Sequence, residues 1–214
     1  MPREGDRSTD MTIAPERPVT PFEPPAALEV TPNLLDLAET VHRNMPGFRP
    51  EIIGGALTVS PPADGQHARS LTGLTLALAA LHGKETLVVQ GVGLWLPTGT
   101  FDHVVPDLAV VDGDFEDHQM PYNCYAPSAF RLVVEITSTN RANDVMMKPR
   151  VYAQAEVPVY LIGDRQNREA VLLTDPLEGE YRSRSVYRPG ESFTLPESIG
   201  AAVELDVDTL LGRA

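Results

Sequence analysis

Two carboxylates stand inside apolar, strand-like segments. Asp107 lies in the run Val104-Val105-Pro106-Asp107-Leu108-Ala109-Val110-Val111, and Glu135 in Leu132-Val133-Val134-Glu135-Ile136. An ionised carboxylate in an apolar layer is costly unless it is paired, hydrogen-bonded or metal-bound. Two of them on neighbouring strands also repel, and a divalent cation between them removes that cost. Hard cations such as Mg²⁺ take such oxygen ligands. The bland alternative for either acid is a strand end met by water or a backbone cap. Further on, Thr137-Ser138 precede the segment from Asn143 to Lys148. On a helix Asp144 and Lys148 are four apart and share a face. An ammonium near two metal-binding acids can orient a nucleophilic water or stabilise charge developing on a phosphorane. Its ordinary alternative is a surface ion pair worth little. Pro149 disturbs a helix interior, so the helix is expected to start there, with Lys148 just before it.

The elements that must position these residues are legible in outline. Thr31-Pro32 reads as a helix start, with Thr31 as the cap and Pro32 in the first helical position. Leu34, Leu35, Ala38 and Val41 then make a helical stripe, ended by Pro46-Gly47. Gly54-Gly55 divides two apolar stretches and marks a hairpin, stopped by Pro61-Pro62. From about Asp64 to His82 runs the clearest helix, with Leu71, Leu74, Leu78 and Leu81 on one face and Gly83 at its end. Strand-like segments follow at 86–90, 93–97 and 104–112. Residues 130–138 make a Val/Ile-rich run of the kind expected in a central buried strand. A helix from about Asn143 to Ala155, a strand over 157–164 and short strands with turns at Glu178-Gly179 and Pro189-Gly190 complete the chain. The order indicates an α/β or α+β domain with a mixed sheet.

Length and charge bound the function. The chain has 214 residues, 42% of them hydrophobic, which suits one domain with a tail. Residues 1–26 hold six prolines and no apolar periodicity, and are expected to be a disordered extension to a domain spanning 27–214. No apolar run is long enough to span a bilayer, and the first ten residues lack the apolar centre of a secretory signal. With Cys124 as the one cysteine, neither an intrachain disulfide nor a cysteine zinc cluster can form. A reducing cytoplasm is the expected setting. Thirty acids against seventeen bases give a net charge of −13, awkward for a nucleic-acid binder. One small basic segment, Tyr181 to Arg188, offers a remedy. In a strand Arg182 and Arg184 share a face, and they are expected on the rim of the Asp107 site, against phosphate.

These residues together resemble a known family. Pro106-Asp107, Glu135-Ile136-Thr137-Ser138 twenty-eight residues after Asp107, and Asp144 with Lys148 are similar to the Uma-type family of restriction-endonuclease-like proteins, a branch of the PD-(D/E)XK nuclease superfamily. The similarity extends through Glu51 to Gly55, Ser60 to Pro62 and His67, and downstream through Tyr152 and Val157 to Asp164. The resemblance implies a restriction-endonuclease-like mixed sheet flanked by helices, with the acids on adjacent central strands. It implies Mg²⁺-assisted phosphodiester hydrolysis, with Mn²⁺ as a substitute. Asp107 and Glu135 would be the metal ligands and Lys148 the third catalytic residue. The superfamily's usual lysine position, two after Glu135, is Thr137 here, and Lys148 matches a lysine displaced to the next helix. His67, Glu51, Thr137 and Asp144 are candidate supporting residues.

Two functions follow. One is a metal-dependent nuclease, an endonuclease acting on DNA, for which a homodimer suits two-strand cleavage, with RNA or a small nucleotide as the alternative substrate. The other is a catalytically inactive module that keeps the fold for binding or regulation, favoured by the negative charge and by Thr137.

Overall fold

The computed structural model describes residues 33–138 and 141–213. The expected tail at residues 1–26 and the Thr31-Pro32 helix start lie outside the described residues. The first helix, α1 (Leu34–Asn44), is capped not by Thr31 but by Asn33, whose side chain accepts from the Leu35 amide at 3.0 Å. Asparagine is among the best residues for that task.

The hairpin β1 (Arg49–Ile53) and β2 (Ala56–Ser60) turns at Gly54-Gly55, both with positive φ. Glycine enters that region without steric cost. The buried carboxylate of Asp102 accepts from the amides of Gly54 (2.7 Å) and Gly55 (3.1 Å) and from the Thr98 hydroxyl (2.8 Å), pinning the turn. Next comes α2 (Gly65–Ala77), capped by Asp64, whose side chain accepts from the His67 amide. It tightens into a 3₁₀ turn at Ala79–Leu81 before Gly83. Then follow β3 (Thr86–Gln90), β4 (Gly93–Trp95), β5 (His103–Val104), β6 (Leu108–Asp112), β7 (Gln119–Met120), β8 (Cys124–Tyr125) and β9 (Phe130–Ile136). A wide π-helical turn at Asn143–Met147 leads into α3 (Lys148–Gln154). The chain closes with β10 (Val159–Asp164), β11 (Glu169–Leu177), β12 (Glu180–Tyr187), β13 (Ser192–Leu195), β14 (Val203–Asp206) and the short α4 (Val207–Leu210).

The main sheet has the order β12-β11-β10-β9-β6-β3. It is mixed: β9 and β10 run parallel, while the other neighbours are antiparallel. A second sheet, β2-β1-β5-β4-β8-β7, carries the hairpin, and β13 pairs with β14. Strand alternation divides the core. Leu108, Val110, Leu132, Val134 and Leu161 face α2 and α4, where Leu74, Leu78 and Leu210 cover them. Ala109, Val111, Val133, Tyr160 and Ile162 face the other way, toward Val151 and Tyr152 of α3 and Leu94 of the second sheet. Each fully buried leucine among them contributes about 1.5–3 kcal/mol. β9 is covered on both faces, which is why its sequence is a continuous apolar run rather than an alternating one.

Candidate active site

Glu135 interrupts that run on the face toward α3. Asp107 immediately precedes β6. Leu108 pairs with Val134 in the antiparallel ladder, so the register brings Asp107 opposite Glu135. Directly opposed residues project from the same face of a sheet. Asp107 is tied down by its Oδ2, which accepts from the Ile136 amide at 2.8 Å.

α3 delivers the lysine. Pro149 occupies the second position of the helix, not the first, and Lys148 the first. The Lys148 amide bonds to the Asn143 carbonyl five residues back, so the turn before Pro149 is widened. A proline ring clashes with the carbonyl four residues earlier in a regular helix, and a π turn is a known way to break that register. Lys148 is only 4% exposed. Its Nζ lies 2.7 Å from Glu135 Oε1, 3.0 Å from Glu51 Oε1 and 3.5 Å from Asp144 Oδ1. Tyr152, one turn along α3, donates to Glu135 Oε1 at 2.9 Å. Tyr160 donates to the Asp144 carbonyl at 2.7 Å, and Glu51 Oε1 also accepts from the Val105 amide at 2.8 Å.

Around Asp107 the partners differ. Arg49 Nη2 stands 2.6 Å from its Oδ1, and His67 Nε2 stands 3.2 Å from the same atom. Arg49 and Glu51 are two apart on β1 and therefore reach the site from one face of that strand. His67 arrives from the first turn of α2. Oδ1 is buried, and these two ion-pair contacts are its partners among the described residues. His67 Nδ1 is also buried without a partner among the described residues.

The electrostatics follow from crowding. Burial pushes the Glu135 carboxyl well above the usual carboxylate range, and Asp107, Asp144 and Glu51 add to this while Lys148 opposes it. Asp144 is raised to about 6, again first by burial. Burial alone would discharge Lys148, but Glu135, Glu51 and Asp144 outweigh it and raise its pKa, so it stays an ammonium. Asp107 goes the other way: burial is overcome by His67, Arg49 and the Ile136 amide, and its pKa is lowered. Four carboxylates thus share a buried site with two permanent cations, Lys148 and Arg49.

That excess of negative oxygen is the donor chemistry a hard divalent cation takes. Among the described residues no group of three or more His, Cys, Asp or Glu side chains is arranged to hold a metal by itself. Mg²⁺ does not require one, since it commonly binds through one or two carboxylates, waters and substrate phosphates. Asp107 and Glu135 fit that pattern in residue type and placement.

The remaining expected site residues lie elsewhere. Thr137 does not join Lys148. Its hydroxyl donates to the Gly163 carbonyl (3.3 Å) and accepts from the Arg165 amide (3.0 Å), fastening the end of β9 to β10. Arg182 and Arg184 are exposed, but the expectation that they rim the Asp107 site is corrected by the topology. Their strand, β12, is the outer edge of the main sheet, with β11 and β10 between it and β9. At about 4.8 Å per strand that is roughly 14 Å. Sequence reasoning missed Arg49 and Asp102, and took Tyr152 and Tyr160 only as points of family likeness. Two signals were available: Arg49 alternates with Glu51 in a strand, and Tyr152 lies four residues after Lys148.

Comparison with known proteins gives context to this geometry. A solved structure described as a putative nuclease belonging to DUF820, from Anabaena variabilis, aligns with a TM-score of 0.59 and 14% identity over 77% of this chain and 90% of that one. That likeness is one of fold. No curated protein sequence matches the chain. A family model described as "Putative restriction endonuclease" matches residues 34–208, which include every acid and cation of the site. The chain therefore belongs to the Uma2 family, and its fold is the restriction-endonuclease-like mixed sheet flanked by helices.

Proposed function

We propose that this protein is a metal-dependent nuclease that hydrolyses phosphodiester bonds, with DNA as substrate. The observation that carries the reading is the placement of Asp107 opposite Glu135 on one sheet face, with Lys148 Nζ 2.7 Å from Glu135. Asp107 and Glu135 would hold Mg²⁺, or Mn²⁺ in its place. When bound, such an ion lowers the pKa of a water and neutralises charge on the attacked phosphate. Lys148 remains charged, so it cannot be the general base; it orients the nucleophilic water and offsets developing negative charge. The lowered pKa would let that water give up its proton to solvent, since Glu135 as a metal ligand is not free to take it. The water oxygen forms the new bond to phosphorus as the bond to the leaving oxygen breaks. Glu51 and Asp144 hold Lys148 in place.

Cleavage of both strands suits a two-fold dimer. Among the described residues no helix is long and apolar enough to cross a membrane. A cytoplasmic setting accords with the single cysteine and with a nucleic-acid substrate.

The test is nicking of supercoiled plasmid in Mg²⁺, in Mn²⁺ and in chelator, beside an Asp107→Ala control. Metal-dependent nicking lost in the control and in chelator supports the reading. Duplex binding in Ca²⁺ without cleavage under any metal would move the protein to the class of inactive binding modules.

A further inference from the structure

Arg49 differs from every other member of the site. Asp107, Glu135, Glu51, Lys148 and His67 are almost wholly buried, whereas the Arg49 side chain is 33% exposed. It also belongs to two places at once. It touches Asp107, and it lines a cavity of about 730 Å³ shared with His42, Arg43, Val105, Tyr122 and Asn123. That volume is in the range of small-ligand sites.

Its partner atom is equally unusual. Asp107 Oδ2 accepts from the Ile136 amide, which belongs to the sheet, whereas the buried Oδ1 meets only two side chains, Arg49 and His67. Oδ1 is therefore the oxygen of Asp107 whose partners can be exchanged for a cation without opening the sheet. A divalent ion there could not coexist with a guanidinium nitrogen at 2.6 Å. Arg49 would have to leave, and the cavity it lines is open to receive it. There a planar guanidinium finds its best partner in phosphate, which it can grip through two oxygens at once.

We infer that Arg49 is a positioning residue that exchanges partners, holding Asp107 Oδ1 in the resting protein and passing to a substrate phosphate in the cavity when a cation takes Oδ1. The inference rests on the nuclease reading above and adds to it a coupling. Metal and nucleic acid each relieve the cost that Arg49 imposes on the other, and such coupling is reciprocal. It also supplies one of the local cations that a chain of net charge −13 needs.

The experiment uses the full chain as wild type, Arg49→Gln, Arg49→Lys and Asp107→Asn. Mn²⁺ binding is followed by calorimetry, with and without a short DNA duplex. Duplex binding is followed by anisotropy in Ca²⁺ and in chelator. In wild type, Mn²⁺ alone should bind weakly and the duplex should tighten it. In Arg49→Gln, Mn²⁺ alone should bind more tightly, on the order of tenfold as for ordinary coupled sites. The duplex should bind more weakly, and the mutual enhancement should disappear. Arg49→Lys keeps the charge but not the fork and should fall between; it also serves as the test should Arg49→Gln not fold. If Arg49→Gln binds Mn²⁺ and duplex as wild type does, while Asp107→Asn loses Mn²⁺, partner exchange is wrong and the nuclease reading stands. If no Mn²⁺ binding depends on Asp107 in any of these chains, both fail together.

Discussion

Lys148 and Glu135, thirteen residues apart and on different elements, meet at 2.7 Å in a site where neither is more than 4% exposed. Removing one partner of a buried ion pair leaves an uncompensated charge. Lys148→Ala leaves three acids, Glu51, Glu135 and Asp144, without their shared counter-ion. The variant should lose about 3–5 kcal/mol of stability, measured as a lowered denaturant midpoint at pH 7. Lys148→Met combined with Glu135→Gln should recover part of that loss. A Lys148→Ala midpoint equal to wild type would show that the ammonium is not buried among these acids.

Asp107→Asn should separate structure from chemistry. The amide oxygen can still accept from the Ile136 amide, so the fold should persist. The charge that would hold Mg²⁺ is gone. Plasmid nicking should fall by more than the roughly 100-fold that outer-shell changes cause at metal sites. Unchanged nicking at equal metal concentration would remove Asp107 from the mechanism.

Asp144 provides a pH signature. An ordinary aspartate ionises near 3.9; burial in this fold raises Asp144 to about 6. Between those values the folded chain holds the proton more tightly than the unfolded chain, so this group's contribution falls as pH rises through the window. Asp144→Asn removes that dependence. The variant's thermal midpoint, relative to wild type, should rise from pH 4 to pH 6 and then level off. The change should correspond to about 2 kcal/mol. A difference that stays flat across the window would contradict the raised pKa.

Asp102→Ala tests the support beneath Arg49 and Glu51. It leaves the amides of Gly54 and Gly55 and the Thr98 hydroxyl without their acceptor. Hydrogen bonds to a charged acceptor contribute about 1.5–3 kcal/mol each, and their losses overlap at one site. A destabilisation of about 3 kcal/mol is expected by equilibrium unfolding. Hydrogen exchange should quicken at Gly54 and Gly55; unchanged protection there would show that the turn holds without Asp102.

Cys124 should be chemically silent. It is buried, with its Sγ donating to the Tyr122 carbonyl at 3.5 Å, and burial pushes its thiol up to about 12. The thiolate is the reactive form. At pH 8 the native chain should resist a thiol reagent that labels the denatured chain fully. Rapid native labelling would mean that the loop around Cys124 opens.

What is periodic or local was legible in the order of the residues. The Gly54-Gly55 hairpin, the α2 stripe through Leu74 and Leu78, and the apolar run of β9 follow from turn chemistry and from periods of 3.6 and 2. An acid inside such a run is conspicuous because its burial is costly, which is why Asp107 and Glu135 could be singled out without a structure. Which charges meet depends instead on the three-dimensional fold. The Asp107–Arg49 contact spans β1 and the start of β6, and the Lys148–Glu51 contact spans 97 residues. Such pairings depend on strand order, on which periodicity is silent. The same holds for the basic segment: alternation puts Arg182 and Arg184 on one face, but sheet order places their strand at the far edge. Thr137 shows the limit at a single residue. Its spacing from Glu135 matches the superfamily's lysine position, yet hydrogen bonds to Gly163 and Arg165, brought alongside by the parallel β9–β10 pairing, engage its hydroxyl in closing the sheet.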